Sequence, residues 1–242
     1  MNNKKSIFLL LILSIFIYSV SCGSASTPNA NAIYQKNCSG CHGKNGDGKG
    51  SLASSMKIKP TNFTEGMFKY RSTPFGAPPT DSDLEKVIKK GLKGVEKRNW
   101  EDKLTDKEID GLVNLIKSFS PDIFKAAGNP IKPPKFSDPD INRGKELFLK
   151  KGCVNCHGPK GKGNGDMADT LENYNGTKAY PRNLSNPINY RLGAEREEIF
   201  MRISTGLNGT PMFGFGDELY PEEIEDIASY LVSLYKEEEK SR

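Results

Sequence analysis

Cys38-Ser39-Gly40-Cys41-His42 and Cys153-Val154-Asn155-Cys156-His157 decide how this chain is read. Each sets two thiols three positions apart and puts an imidazole directly after the second. The motifs lie 115 residues apart, and the same offset relates other segments. Gly91-Leu92-Lys93-Gly94 aligns with Gly206-Leu207-Asn208-Gly209, and Leu104-Thr105-Asp106-Lys107-Glu108-Ile109 aligns with Leu219-Tyr220-Pro221-Glu222-Glu223-Ile224. Pro60-Thr61-Asn62-Phe63 resembles Pro181-Arg182-Asn183-Leu184, and Tyr70-Arg71 resembles Tyr190-Arg191, at slightly larger offsets that put the insertions in loops. Self-similarity at a fixed period marks a repeated structural unit, and duplication of a whole domain is the simplest account.

Outward from each motif the plan is the same. A short helix precedes it, Ile33 to Asn37 and then Asn142 to Lys151, and a Gly-rich loop follows, Gly43 to Gly50 and Gly158 to Gly165. Pro-containing irregular segments lead to an amphipathic helix, Asp83 to Lys90 and Glu195 to Ser204. A last helix closes each copy. Ile109, Leu112, Val113, Ile116 and Phe119 recur at helical spacing, as do Ile224, Ile227, Leu231 and Leu234. Thr105 and Tyr220-Pro221 open these helices, with Glu108 and Glu223 in the first turns. No strand pattern is convincing. The reading is all-α, in two tandem domains at 30–120 and 140–236. A Pro/Lys-rich linker at 121–139 should be extended and fairly stiff, and a charged tail occupies 237–242.

The chemistry of the motif points to haem. Two thiols at this spacing can add across the two vinyl groups of one porphyrin, and the adjacent imidazole can then reach the iron; the pattern is an attachment signal. A lone pair of thiols could instead be a redox dithiol or half a zinc site. Zinc would need further Cys or His ligands, and the only two His in the chain sit inside the motifs. A dithiol does not require His beside the second Cys in both copies. The expected cofactors are therefore two haem c groups with iron. Their covalent anchors are Cys38, Cys41, Cys153 and Cys156.

With these motifs, the Gly-rich loop after each and Thr210-Pro211-Met212 before the last helix, the chain resembles class I cytochrome c domains over nearly all of its mature length. The resemblance implies an all-α fold with an exposed haem edge, and His42 and His157 as proximal iron ligands. The second ring nitrogen of each would donate to a backbone carbonyl, which fixes the tautomer.

In such domains the sixth ligand is usually a Met thioether on the loop before the final helix, and Met212 fits that place. A thioether favours ferrous iron and raises the potential. Met167 and Met201 read as structural. The first domain departs from the pattern. Lys97 stands 55 positions after His42, as Met212 stands 55 after His157. Three readings remain open for that iron. Lys97 ligates as a neutral amine, which needs its ammonium proton removed or displaced by the metal. Met56 or Met67 takes its place. Or the iron is five-coordinate or holds water.

The N-terminus reads as a processing signal at 1–21. Lys4 and Lys5 precede an apolar run, Ile7 to Val20, too short to span a bilayer comfortably. Ser19-Val20-Ser21-Cys22-Gly23 resembles a bacterial lipobox, although Ser19 stands where that pattern prefers Leu. An acylated Cys22 with a tether at 22–29 would hold the protein to a membrane on the periplasmic side, the exported compartment in which haem is attached in this family. Cys22 is the one cysteine of the five outside the motifs, so none is left for a disulfide. The formal charge of +5 is too small and too mixed to suggest nucleic acid.

A His/Met iron is closed to substrates, so the second domain reads as an electron carrier. Two haems on a tethered chain suggest relay between a membrane quinol-oxidising complex or dehydrogenase and a terminal oxidase or reductase. Lys145, Lys150 and Lys151 flank the second motif. They either steer acidic partners or form a solvated face. The alternative is a haem enzyme or small-ligand-binding subunit using an open or Lys-ligated first haem. Against it, no distal His is available and the sequence places no acid–base pair. An electron carrier is expected rather than a catalyst.

Overall fold

The computed structural model describes residues 29–56, 58–95, 99–126, 128–136 and 138–240, with side chains to residue 236. The segment 1–21, Cys22 and Lys97 lie outside the described residues. What is described is helical, with no strand and one isolated bridge between Glu172 and Lys178.

The first domain runs α1 (Ala30–Asn37), α2 (Ser39–His42), α3 (Asp81–Lys90) and α4 (Asp106–Ser118). The second repeats it as α5 (Ile141–Lys150), α6 (Cys153–His157), α7 (Arg196–Thr205) and α8 (Pro221–Lys240). The ends are set by local chemistry. Thr80 with Asp83, and Thr105 with Glu108, form reciprocal capping boxes that satisfy the first N–H groups of α3 and α4. Asn29 and Asp140 cap α1 and α5 with their side-chain oxygens. Gly91 and Gly206 end α3 and α7. The helices before the motifs and the amphipathic helices agree with the sequence reading, displaced by one to three residues at their starts, and the closing helices stand where their openings place them. The turns α2 and α6, on the motifs themselves, are not among the helices that reading expects.

Each domain has its own core. Tyr34, Phe63, Phe68, Leu84, Leu112, Val113 and Ile116 fill the first. Leu147, Phe148, Ile199, Phe200, Ile224, Ile227 and Leu231 are among those that fill the second. Burying side chains of this size contributes roughly 1.5–3 kcal/mol each, before ordering costs. In both domains the helix before the motif packs on the closing helix. Gly144 of α5 lies directly on the Asp226 carbonyl of α8, where any Cβ would collide. In the first domain the small residue sits on the other helix, with Gly111 of α4 facing Ala30 of α1.

Among its described residues the linker is irregular and lacks a long helix, as its prolines dictate, apart from one 3-10 turn at Ile123–Lys125. It is not a free spacer. Phe124 packs on the first core, whereas Ile131 and Phe136 pack on the second. Ile131 N donates to Ser72 O at 2.7 Å, and the Arg196 guanidinium stands 4.7 Å from the Phe136 ring centroid. The segment is a strap whose apolar residues are used on both sides.

Candidate haem-binding sites

Both motifs fold as a single turn of helix, α2 and α6, capped at the C-terminal side by Gly43 and Gly158. The Gly-rich loop then folds back over that turn with nearly identical bonds in the two copies. Gly48 N and Gly163 N each donate at 2.8 Å to the carbonyl of the motif His. Gly50 N and Gly165 N each donate at 3.1 Å to that of the second Cys. A side chain at Gly50 would strike the Gly40 carbonyl, and one at Gly165 the Asn155 carbonyl, so both positions need glycine for close approach. Leu52 N and Met167 N continue the return, at 2.8 Å and 2.9 Å from Gly40 O and Asn155 O. Their side chains are the exposed lip of each motif.

His42 Nδ1 lies 3.1 Å from Thr61 O, and His157 Nδ1 lies 3.1 Å from Arg182 O. A carbonyl can only accept, so Nδ1 carries the proton and Nε2 keeps its lone pair. Burial holds both imidazoles below the usual histidine range, the carbonyl bond opposing it, so both are neutral bases at neutral pH. Neutral imidazole is the form that ligates iron. Thr61 and Arg182 occupy the same place in the repeated Pro-x-Asn segments. The following Asn closes a local turn in each copy, accepting from Thr64 N and from Ser185 N. The ring of Phe63 stacks on His42 at 4.5 Å with 13° between planes.

The four motif cysteines are half-buried and none is in a disulfide. Burial pushes the Cys153 thiol up to about 11 and raises Cys156 as well. Thiols so placed resist incidental thiolate chemistry and lose nothing on becoming neutral thioethers. Among the described residues no group of three or more His, Cys, Asp or Glu is arranged to hold a bare metal ion. Two thiols beside one neutral imidazole, its free nitrogen fixed in direction, is the donor set of a haem c, and these residues fit that group in both copies.

Met212 is half-buried on a loop that closes on itself. Leu207 N donates to Met212 O at 2.8 Å, and Met212 N donates to Thr210 Oγ1 at 3.2 Å. The matching loop of the first domain is anchored by Trp100 N donating to Lys89 O at 3.1 Å, with Lys97 outside the described residues. Met56 is half-buried with its N donating to Ala53 O at 3.3 Å. Met67 sits at the boundary between domains, against Gly209 of the second. Met201 is half-buried within α7, and Met167 is exposed. Lys145 and Lys150 are exposed and Lys151 half-buried. The residues that sequence reasoning did not single out are Thr61 and Arg182. The repeated Pro-x-Asn segment was their signal.

Fold and site together define a c-type cytochrome. Residues 141–235 match the cytochrome c family model, and residues 25–116 match that of cytochrome c oxidase, cbb3-type, subunit III. A chain of the Kuenenia stuttgartiensis reducing HAO-like protein complex is 34% identical, with a TM-score of 0.80 over 86% of this chain and 96% of that one. The thiosulfate dehydrogenase of Psychrobacter arcticus is 28% identical over 214 residues; the match takes in 86% of this chain and spans 58% of that relative's length. The chain belongs to the class I c-type cytochromes, with two cytochrome c domains, and it binds haem c.

Proposed function

We propose that this protein is a dihaem electron carrier with one haem c in each domain. Cys38 and Cys41 anchor the first haem and His42 ligates its iron. Cys153, Cys156 and His157 do the same in the second domain. The observation that carries this reading is the repetition, bond for bond, of the His–carbonyl contact and the glycine return around both motifs. Bound haem supplies one-electron chemistry, and the chain tunes it. The Thr61 and Arg182 carbonyls orient the imidazoles and make them stronger donors. Met212 would be the further ligand to the second domain's iron, and its thioether there would exclude substrate. Lys97 is the first domain's counterpart, with Met56 and Met67 as its competitors and an open position as the remaining choice.

Acylation of Cys22 would place the carrier at a membrane on the periplasmic side, between a dehydrogenase or quinol-oxidising complex and a terminal acceptor. The names of the relatives, a thiosulfate dehydrogenase and a reducing HAO-like complex, support work beside redox enzymes. The first of them also favours a second reading, in which the first haem meets a small substrate directly. Mass spectrometry of the denatured mature protein tests the main reading. Two haems should remain on the polypeptide, and Cys38→Ser with Cys41→Ser should remove one of them. A wild-type mass carrying one haem, or haem extracted by acid acetone, would contradict it.

A further inference from the structure

Each domain reaches across to the loop on which the other domain's sixth ligand is expected. The Arg71 side chain, in the first domain, is fully buried. Its Nη2 donates to Thr205 O at 2.6 Å, Nη1 to Gly206 O at 3.4 Å and Nε to Pro74 O at 3.2 Å. Thr205 is the last residue of α7 and Gly206 its C-cap, where helix carbonyls lack intrahelical partners and carry partial negative charge. Five residues along the first-domain chain, Gly76 N donates to Asn208 Oδ1 at 3.0 Å, and Asn208 Nδ2 donates to Ala77 O at 3.3 Å. Arg202 of α7 answers by donating to Arg71 O at 2.7 Å. Residues 71–77 thus clasp 205–208, the base of the loop that Leu207 N closes on Met212 O. Burial and the neighbouring Arg202 lower Arg71 to about 10, which leaves it a cation at neutral pH.

The second domain returns the contact with the equivalent residue. Arg191 Nη1 donates to Lys93 O at 2.6 Å, and Lys93 N donates to Arg191 O at 2.7 Å. Lys93 lies in the Gly-Leu-x-Gly segment that corresponds to Asn208, and its loop leads to Lys97. The repeated Tyr-Arg pair of each copy therefore meets the repeated Gly-Leu-x-Gly of the other. The two clasps are unequal. Arg71 is fully buried and has three acceptors, while Arg191 is half-buried and its bond lies at the exposed rim.

We infer that Arg71 is a positioning residue for Met212, so that the first domain sets how firmly the second haem holds its sixth ligand. The inference rests on the reading of Met212 as that ligand. Without the guanidinium, the Thr205 carbonyl loses its buried donor, and the Gly206 carbonyl keeps only the Thr205 hydroxyl at 3.1 Å. The loop base is freed to move, and the thioether leaves the iron more often. Losing one charge-assisted hydrogen bond implies an effect of roughly tenfold or more on that equilibrium.

The test uses the full haem-loaded chain with Met212→Ala, Arg71→Met, Arg71→Lys and Asn208→Ala. Two readouts report the thioether–iron bond: the weak long-wavelength absorption it gives ferric haem, and the rate at which reduced protein binds carbon monoxide at the second haem. Met212→Ala should remove the second haem's share of the absorption. Arg71→Met should weaken it and speed carbon monoxide binding at the second haem roughly tenfold. Arg71→Lys should restore part of both, and Asn208→Ala should shift them the same way to a smaller extent, at temperatures where circular dichroism shows the helices intact. If Arg71→Met does not fold, Asn208→Ala carries the test with the same readouts. Loss of the second haem's share in Met212→Ala, with wild-type values in the Arg71 and Asn208 variants, would overturn the positioning role alone. Full absorption in Met212→Ala would overturn the ligand reading and this inference with it.

Discussion

In both domains the motif His donates from Nδ1 to a carbonyl 3.1 Å away, and the three bonds that fold the glycine loop back over the motif repeat to within 0.1 Å. On the opposite side the copies part. The second domain's loop closes on itself between Leu207 and Met212, held at its base by a buried arginine of its neighbour. The first domain's loop carries Lys97 in the matching place, and its clasp is a half-buried arginine. Covalent attachment leaves little freedom, because thiol spacing, imidazole direction and loop closure must all agree. The proposed sixth ligand is one side chain on a loop and can change without disturbing the rest. On the proposed reading, duplication has kept the anchoring face and varied the face that would set potential and access.

The largest break in that comparison should come from Met212→Ala. The second haem should turn high-spin or accept another ligand, and bind carbon monoxide when reduced. Its potential should fall by at least ~59 mV, which corresponds to one decade of lost preference for ferrous iron. Optical spectra and a redox titration of the variant check this, and an unchanged spectrum would make Met212 a packing residue.

A smaller effect separates the two helix crossings. Gly144→Ala drives a Cβ into the Asp226 backbone of α8, which cannot yield as a flexible side chain would. It should destabilise the second domain by about 1–3 kcal/mol. Gly111→Ala meets only the Ala30 Cβ, at 3.1 Å, and gains about 1 kcal/mol of helix propensity in return. It should be close to neutral. Denaturant unfolding of the two haem-loaded variants measures the difference. Equal losses would mean that the crossings are equivalent after all.

Much of this was legible in the chain. The motifs, the repeat, three of the four helix pairs and the placement of Met212 before the last helix follow from spacing and periodicity, which are local; the motif turns α2 and α6 are too short to leave a periodic signal. The repeated Pro-x-Asn was visible as a repeat. That its middle residue supplies the carbonyl to each His was not, since 19 and 25 residues separate Thr61 and Arg182 from the imidazoles they meet. The linker was expected to be extended and stiff from its prolines and lysines. That reading underweighted Ile131 and Phe136, which bury against the second core and make it a strap. The exchange of Arg71 and Arg191 lay beyond sequence reasoning altogether. Nothing in a Tyr-Arg pair says which domain it will touch, and that depends on how two copies dock.

The measurement that bears most directly on this account is a redox titration of the unmodified haem-loaded protein, followed optically and by paramagnetic resonance. Two inequivalent haems should appear as two one-electron steps with distinct spectra. The first-domain haem should lie lower, because an amine, water or an empty site forgoes the thioether's stabilisation of ferrous iron. A single step from two indistinguishable His/Met haems would contradict it and send the search for the first domain's ligand to Met56 and Met67.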